Sequence, residues 1–174
     1  MQVSKIWVAW LKPHWSNFRF RKSIKEYAST SGELNSIGEI QEKVINLYKN
    51  FEYKLDDFSM LFDAIDTPPQ CLFHLENNKL LDDCDGFHAA VYHLLSQKAK
   101  NAVNIYLITV KTNPFTQSHT MCVFDLDEIT YLVDYQSVIE MQDYNQSLDH
   151  MKQNYSCEPV YYHLNTWDAT NGWK

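Results

Sequence analysis

A chain of 174 residues, 45% of them hydrophobic, can bury one sizeable core but is too short for two ordinary domains, so a single domain over 1–174 is expected. Aromatic residues at 14%, with only 4 Gly and 5 Pro, exclude a disordered or linker-rich chain. A formal charge of −7 argues against a nucleic-acid backbone as main partner, and no apolar run approaches the roughly 18 residues that span a bilayer.

At the N-terminus, Ile6 to Leu11 is the longest apolar run, shorter than the roughly 7–15-residue core of a secretory signal. The expectation is a protein made and kept inside the cell, in the cytoplasm. Arg19, Arg21 and Lys22 beside Phe18 and Phe20 read as one side of a solvated amphipathic segment, since no nucleic-acid motif accompanies them.

The first well-defined element is an amphipathic helix, with Ile37, Ile40, Val44, Leu47, Tyr48 and Phe51 at helical spacing behind a Ser36 cap. Leu55, Phe58, Leu61, Phe62 and Ile65 predict a second, shorter helix ended by Pro68-Pro69, and Gln70 to Leu81 reads as irregular. A third helix follows, with Phe87, Ala90, Val91, Leu94 and Leu95 on one stripe and Asp82 or Asp83 as its cap. Cys84 falls in its first turn, on the stripe of Phe87, His88, Val91 and Leu95. It should therefore face the body of the protein.

Beyond this helix the period changes to strands, at Val103 to Val110, His119 to Leu126 and Ile129 to Tyr135. A weak helical stretch near Tyr144 to Met151 and a strand at Val160 to Leu164 complete the chain. Helices first and strands afterwards predict an α+β fold: N-terminal helices, then a helix carrying the cysteine packed on an antiparallel sheet, with the core over about 36–136.

Asp127-Glu128 separates the last two strong strands, and pairing Leu126 with Ile129 places Asp134 opposite Met121 and His119 opposite Gln136. His119 and Asp134 then become diagonal neighbours on one face, within hydrogen-bond reach. Cys122 points to the other face. A helix-start cysteine near a histidine with an adjacent acid has the parts of an activated nucleophile: thiol, base and a group that orients the base. The helix N-terminus favours the thiolate and its N–H groups suit an oxyanion, whereas Asp82, Asp83 and Asp85 oppose a thiolate and are expected to point outward.

The stretch Leu81-Asp82-Asp83-Cys84-Asp85-Gly86-Phe87-His88-Ala89, then Ser118-His119-Thr120-Met121-Cys122-Val123-Phe124, then Tyr131-Leu132-Val133-Asp134 resembles the three signature blocks of the transglutaminase-like superfamily. The resemblance covers Phe51 to Gln136. It implies a papain-like core and thiol-based acyl transfer from amides or esters, with Cys84 as nucleophile, His119 as general base and then acid, and Asp134 as orienter. It implies a polypeptide or amide substrate and no cofactor. The Gly-Gln-Cys-Trp run of animal transglutaminases and the Arg-Gly-Gly-x-Cys pattern of arylamine acetyltransferases are absent, so the chain looks closer to bacterial transglutaminase-like cysteine peptidases.

Other readings compete. Cys71, Cys122 and Cys157, distant in sequence and without a CxxC pair, read as packing residues and not as a disulfide framework. His88, one turn after Cys84, could share zinc with it, but helix packing is the simpler account. Gln70 and Gln136 are candidate oxyanion donors, and Gly86 a point of close approach. The run Asp82 to Gly86 lacks the ligand order of an EF-hand. Acidic surroundings for Cys84 and the many aromatic side chains, such as Trp7, Trp10 and Trp15, that could form an interaction surface keep open a catalytically inactive binding module of the same fold.

Overall fold

The computed structural model describes residues 32–53, 68–77, 79–113, 118–168 and 172–173. The predicted helix over Leu55 to Ile65, the Arg19–Lys22 cluster and the N-terminal tryptophans lie outside them. The fold is α+β, built on a five-stranded antiparallel sheet.

Helix α1 spans Ile37–Tyr48 and starts where the sequence places it: Ser36 adopts extended geometry and its hydroxyl accepts from Glu39 N–H. Glu39 in turn accepts from the Asn35 N–H at 2.6 Å, so two otherwise unpartnered donors are satisfied at one end. Ile40, Val44 and Leu47 form the buried stripe.

Strand β1, Phe51–Tyr53, pairs in parallel with β2, Leu80–Asp82. Between them runs α2, Pro68–Asn77, which corrects the expectation of irregular structure after Pro68-Pro69. Two prolines end a helix when they fall inside it, but in its first turn their missing N–H groups have no helical acceptor to lose. Asn50 secures this arrangement, donating from its side chain to Leu75 C=O at 2.7 Å and accepting from Leu80 N–H at 3.0 Å.

Helix α3, Cys84–Lys98, is buried around most of its circumference, including Phe87, His88, Val91, Leu94 and Leu95. It packs on a sheet ordered β6-β5-β4-β3-β7, whose strands are β3 (Ala102–Asn113), β4 (His119–Leu126), β5 (Ile129–Asp134), β6 (Ser137–Met141) and β7 (Glu158–Asn165). The β4–β5 register runs from Leu126 opposite Ile129 to Cys122 opposite Val133, as the two-residue connection requires. Asp127 and Glu128 both take positive φ, 51° and 67°, the backbone of a type I′ hairpin turn in which neither residue is a glycine.

The register splits the core in two. Cys122, Phe124, Leu126 and Val133 face α3, while Met121, Val123 and Leu132 face the opposite side. That second side is covered by helix α4, Gln146–Tyr155, through Met151, together with Met141 and Cys157. Six of the first seven residues of β4 are buried because both faces are roofed. A short ladder of β8, Trp167–Asp168, with β9, Gly172–Trp173, follows β7. Among the described residues no helix is long and apolar enough to cross a membrane.

Candidate active site

Cys84 is the first residue of α3 and partly exposed, with Asp83 as the N-cap. The Asp83 carboxylate accepts from Asp85 N–H at 3.1 Å, and Asp82 Oδ1 accepts from Asp83 N–H at 2.9 Å. Gly86 is required by this arrangement: a Cβ there would collide with the Asp82 carboxylate, which lies back across the first turn. The acids thus do not all point outward as expected, since Asp85 is only 8% exposed. The reason is that the β1–β2 ladder runs up to Tyr53 and Asp82, so α3 begins inside the domain.

These surroundings set the state of the thiol. Burial, with smaller contributions from the Asp83 and Asp85 charges, pushes Cys84 up to about 12 against the opposing pull of the Thr120 and Cys84 N–H groups. A thiol in that position is protonated at neutral pH and needs a base to become a nucleophile.

His119 opens β4 and Asp134 closes β5, and the hairpin register brings them to one end of the sheet on a shared face. His119 Nε2 lies 2.9 Å from Asp134 Oδ1, with both side chains almost fully buried. Burial alone would raise the Asp134 pKa, but hydrogen bonds from His119 and His150 outweigh it and hold the carboxyl well below its usual range. An ionised carboxylate only accepts, so Nε2 of His119 carries the proton and Nδ1 is the unprotonated ring nitrogen.

The nucleophile candidate lies against the start of β4, next in the chain to this pair's histidine. The Thr120 N–H, next in the chain after His119, donates to Cys84 Sγ at 3.5 Å. Among the described residues this is the hydrogen bond made to the sulfur; the His119 ring does not itself bond to Sγ here. The structure therefore brings His119 and Asp134 into direct contact and sets Cys84 against the same strand end.

His88 has a structural part. Its Nε2 accepts from the Tyr135 N–H at 3.0 Å, which leaves Nδ1 to donate to Cys84 C=O at 2.6 Å. Full burial, with the neighbouring His119 ring adding to it, lowers His88 to about 4, so it is neutral and cannot serve as the base. Gln136 sits exposed in the β5–β6 turn, and Gln70 lies in α2 with a buried Oε1 that has no hydrogen-bond partner among the described residues. Among the described residues neither is hydrogen-bonded to Cys84 or His119. Cys71, Cys122 and Cys157 are buried, and Cys122 does lie on the sheet face opposite His119.

Two residues of this site escaped sequence reasoning. His150 Nε2 lies 2.7 Å from Asp134 Oδ2, and the Tyr155 hydroxyl lies 2.9 and 2.7 Å from the two carboxylate oxygens and 3.1 Å from His119 Nε2. Both belong to α4. The i, i+4 pair His150 and Asn154 was the one available signal, and it says nothing about which way the helix folds.

One group of described residues offers three possible cation ligands within 4.8 Å of one another: Asp82, Asp83 and Asp85. The capping bonds already use an oxygen each of Asp82 and Asp83, and the loop does not have EF-hand order.

Together these features define an α+β protein with a helix-start cysteine set against a buried His–Asp pair on the sheet. No protein-family model matches the chain, and no curated protein does. Among solved structures, the chain is similar to Legionella pneumophila LapG at 13% identity and a TM-score of 0.48, over 82% of each chain. It is similar in the same degree to the calcium-bound form of that protein, at 14% identity and again 0.48 over 82% of each chain.

Proposed function

We propose that this protein is a thiol-dependent hydrolase or acyl transferase acting on amide bonds of polypeptides or related substrates, in the manner of transglutaminase-like cysteine peptidases. The observation that supports it most directly is the 2.9 Å contact between His119 Nε2 and Asp134 Oδ1 at the strand end where Thr120 N–H reaches Cys84 Sγ.

In this reading His119 Nδ1 takes the proton of the Cys84 thiol as sulfur attacks the carbonyl carbon. The Thr120 and Cys84 N–H groups, both near the sulfur, and the first-turn dipole of α3 favour the negative charge that develops. The protonated His119 then gives its proton to the departing amine, leaving a thioester on Cys84. Water or an acceptor amine attacks the thioester, His119 takes the proton, and the thiol is regenerated as the product leaves. Asp134 holds the His119 ring in the required tautomer and stabilises it when it is charged.

The test is selective alkylation. Cys84 should react with iodoacetamide at neutral pH faster than Cys71, Cys122 and Cys157, and His119→Ala should remove the difference. Equal, slow labelling of all four thiols in folded protein would exclude the reading.

A second reading is a catalytically inactive relative that binds a partner. It is favoured by the elevated thiol and by the sulfur bonding to a backbone amide in place of the His119 ring. Unreactive Cys84 with the His119–Asp134 contact intact would support it.

A further inference from the structure

We propose that His150 and Tyr155 are positioning residues that share the Asp134 carboxylate with His119 and thereby hold down the basicity of the His119 ring. A carboxylate beside an imidazole normally raises the proton affinity of that imidazole, because it pairs with the charged form. Here the carboxylate is not reserved for His119. Oδ2 takes a hydrogen bond from His150 Nε2 at 2.7 Å, and the Tyr155 hydroxyl donates to either oxygen at 2.9 or 2.7 Å.

The donor and acceptor pattern is self-consistent. Asp134 can only accept, so His150 presents Nε2–H to it, and the Nδ1 of His150 is met at 3.2 Å by the Asn154 side-chain amide, which also donates to the His150 C=O at 2.9 Å. His150 is thereby held as a fixed donor by its own helix. Tyr155, at the last residue of α4, lays its ring 4.7 Å from that of His119, so it both donates to the acid and shields the His–Asp contact from water. Each added donor spreads the carboxylate charge, and less remains to favour the charged form of His119.

The groups that face His119 are His88 from α3, Asp134 and Tyr135 at the end of β5, and Tyr155 from α4, with the Cys84 sulfur on the neighbouring Thr120 N–H. His150 itself faces Asp134 and Asn154, and lines a cleft shared with Glu140 and Asp149. Of these, His150 and Tyr155 are the two that compete with His119 for its acid.

The functional meaning rests on His119 serving Cys84, but the test does not. The His119 ring proton signals of the full-length protein are titrated by NMR in the parent, His150→Ala, His150→Gln and Tyr155→Phe. The expected result is a His119 midpoint raised by about half a pH unit or more in His150→Ala and in Tyr155→Phe. His150→Gln, whose amide can still donate to Oδ2, should restore most of the parent value. An unchanged or lowered midpoint in Tyr155→Phe, or in a folded His150→Ala protein, overturns the proposal. Should His150→Ala fail to fold, Tyr155→Phe decides by itself. A raised midpoint in a protein whose Cys84 proves inert would sink the enzyme reading and leave this inference standing.

Discussion

His88 Nε2 accepts a hydrogen bond from the Tyr135 backbone N–H at 3.0 Å, tying the helix that starts at Cys84 to the strand that ends at Asp134. Tyr135 stands at φ 49°, a left-handed backbone that a bulky residue rarely adopts, and this bond is what the turn receives in return. The two halves of the candidate site are thus held together by a buried neutral imidazole.

That imidazole makes stability pH-dependent. His88 is lowered to about 4 in the folded state against about 6.5 unfolded, so between those values the unfolded chain binds a proton that the native state refuses. The stabilisation from neutral His88 is complete above pH 6.5 and lost as pH falls towards 4. The shift is worth about 3 kcal/mol. Urea unfolding at pH 7, 6, 5 and 4 should show a steady decline, and His88→Ala should be weakened at pH 7 by about 2–4 kcal/mol with a flatter pH dependence. A slope as steep in the variant as in the parent would place the titration elsewhere.

The charge on the helix cap should restrain the thiol. Burial is the larger cause of the elevated Cys84 pKa, and Asp83 and Asp85 add to it. Asp83→Asn removes a charge while keeping a side chain that caps equally well. Alkylation of Cys84 at pH 8 should therefore quicken by about two- to fivefold with little change in melting temperature. Slower labelling would mean that the acid assists the sulfur by another route.

If Asp134 orients His119, then Asp134→Asn should leave the fold in place but present an amide that supports the wrong imidazole tautomer. Loss of about 10²–10⁴ in Cys84-dependent turnover is expected, measured against a peptide amide once a substrate is in hand. Before that, the same variant should slow Cys84 alkylation at neutral pH. Parent-like labelling would separate the acid from the chemistry.

The hairpin turn offers a stability test remote from the site. Glu128 occupies φ 67° with a side chain, where glycine carries no steric cost. Glu128→Gly should raise the unfolding free energy by about 0.5–1 kcal/mol in urea titration, less whatever the freer unfolded chain gains.

Much of this architecture was legible from local pattern. Ser36 with Ile40, Val44 and Leu47, and Asp83 with Phe87, Val91 and Leu95, are helix signals carried within a dozen residues. The pair Asp127-Glu128 defined a register that needs nothing outside the hairpin, and the meeting of His119 with Asp134 followed from it. Pro68-Pro69 misled because the same residue type stops a helix or starts one according to where the turn falls, and the β1–β2 pairing joins segments separated by a whole helix.

What the sequence by itself determined was the α+β order and the hairpin that brings His119 to Asp134, since each is written in spacing along a short stretch. Only the tertiary structure decided that α4 folds over the second face of the sheet and delivers His150 and Tyr155 to Asp134. It also decided that His88 is a strut and that Cys84 lies in a cramped, acidic helix start. The physical reason is that burial, shared hydrogen bonds and proton affinity are set by neighbours in space, and no periodicity records which distant segment those neighbours come from.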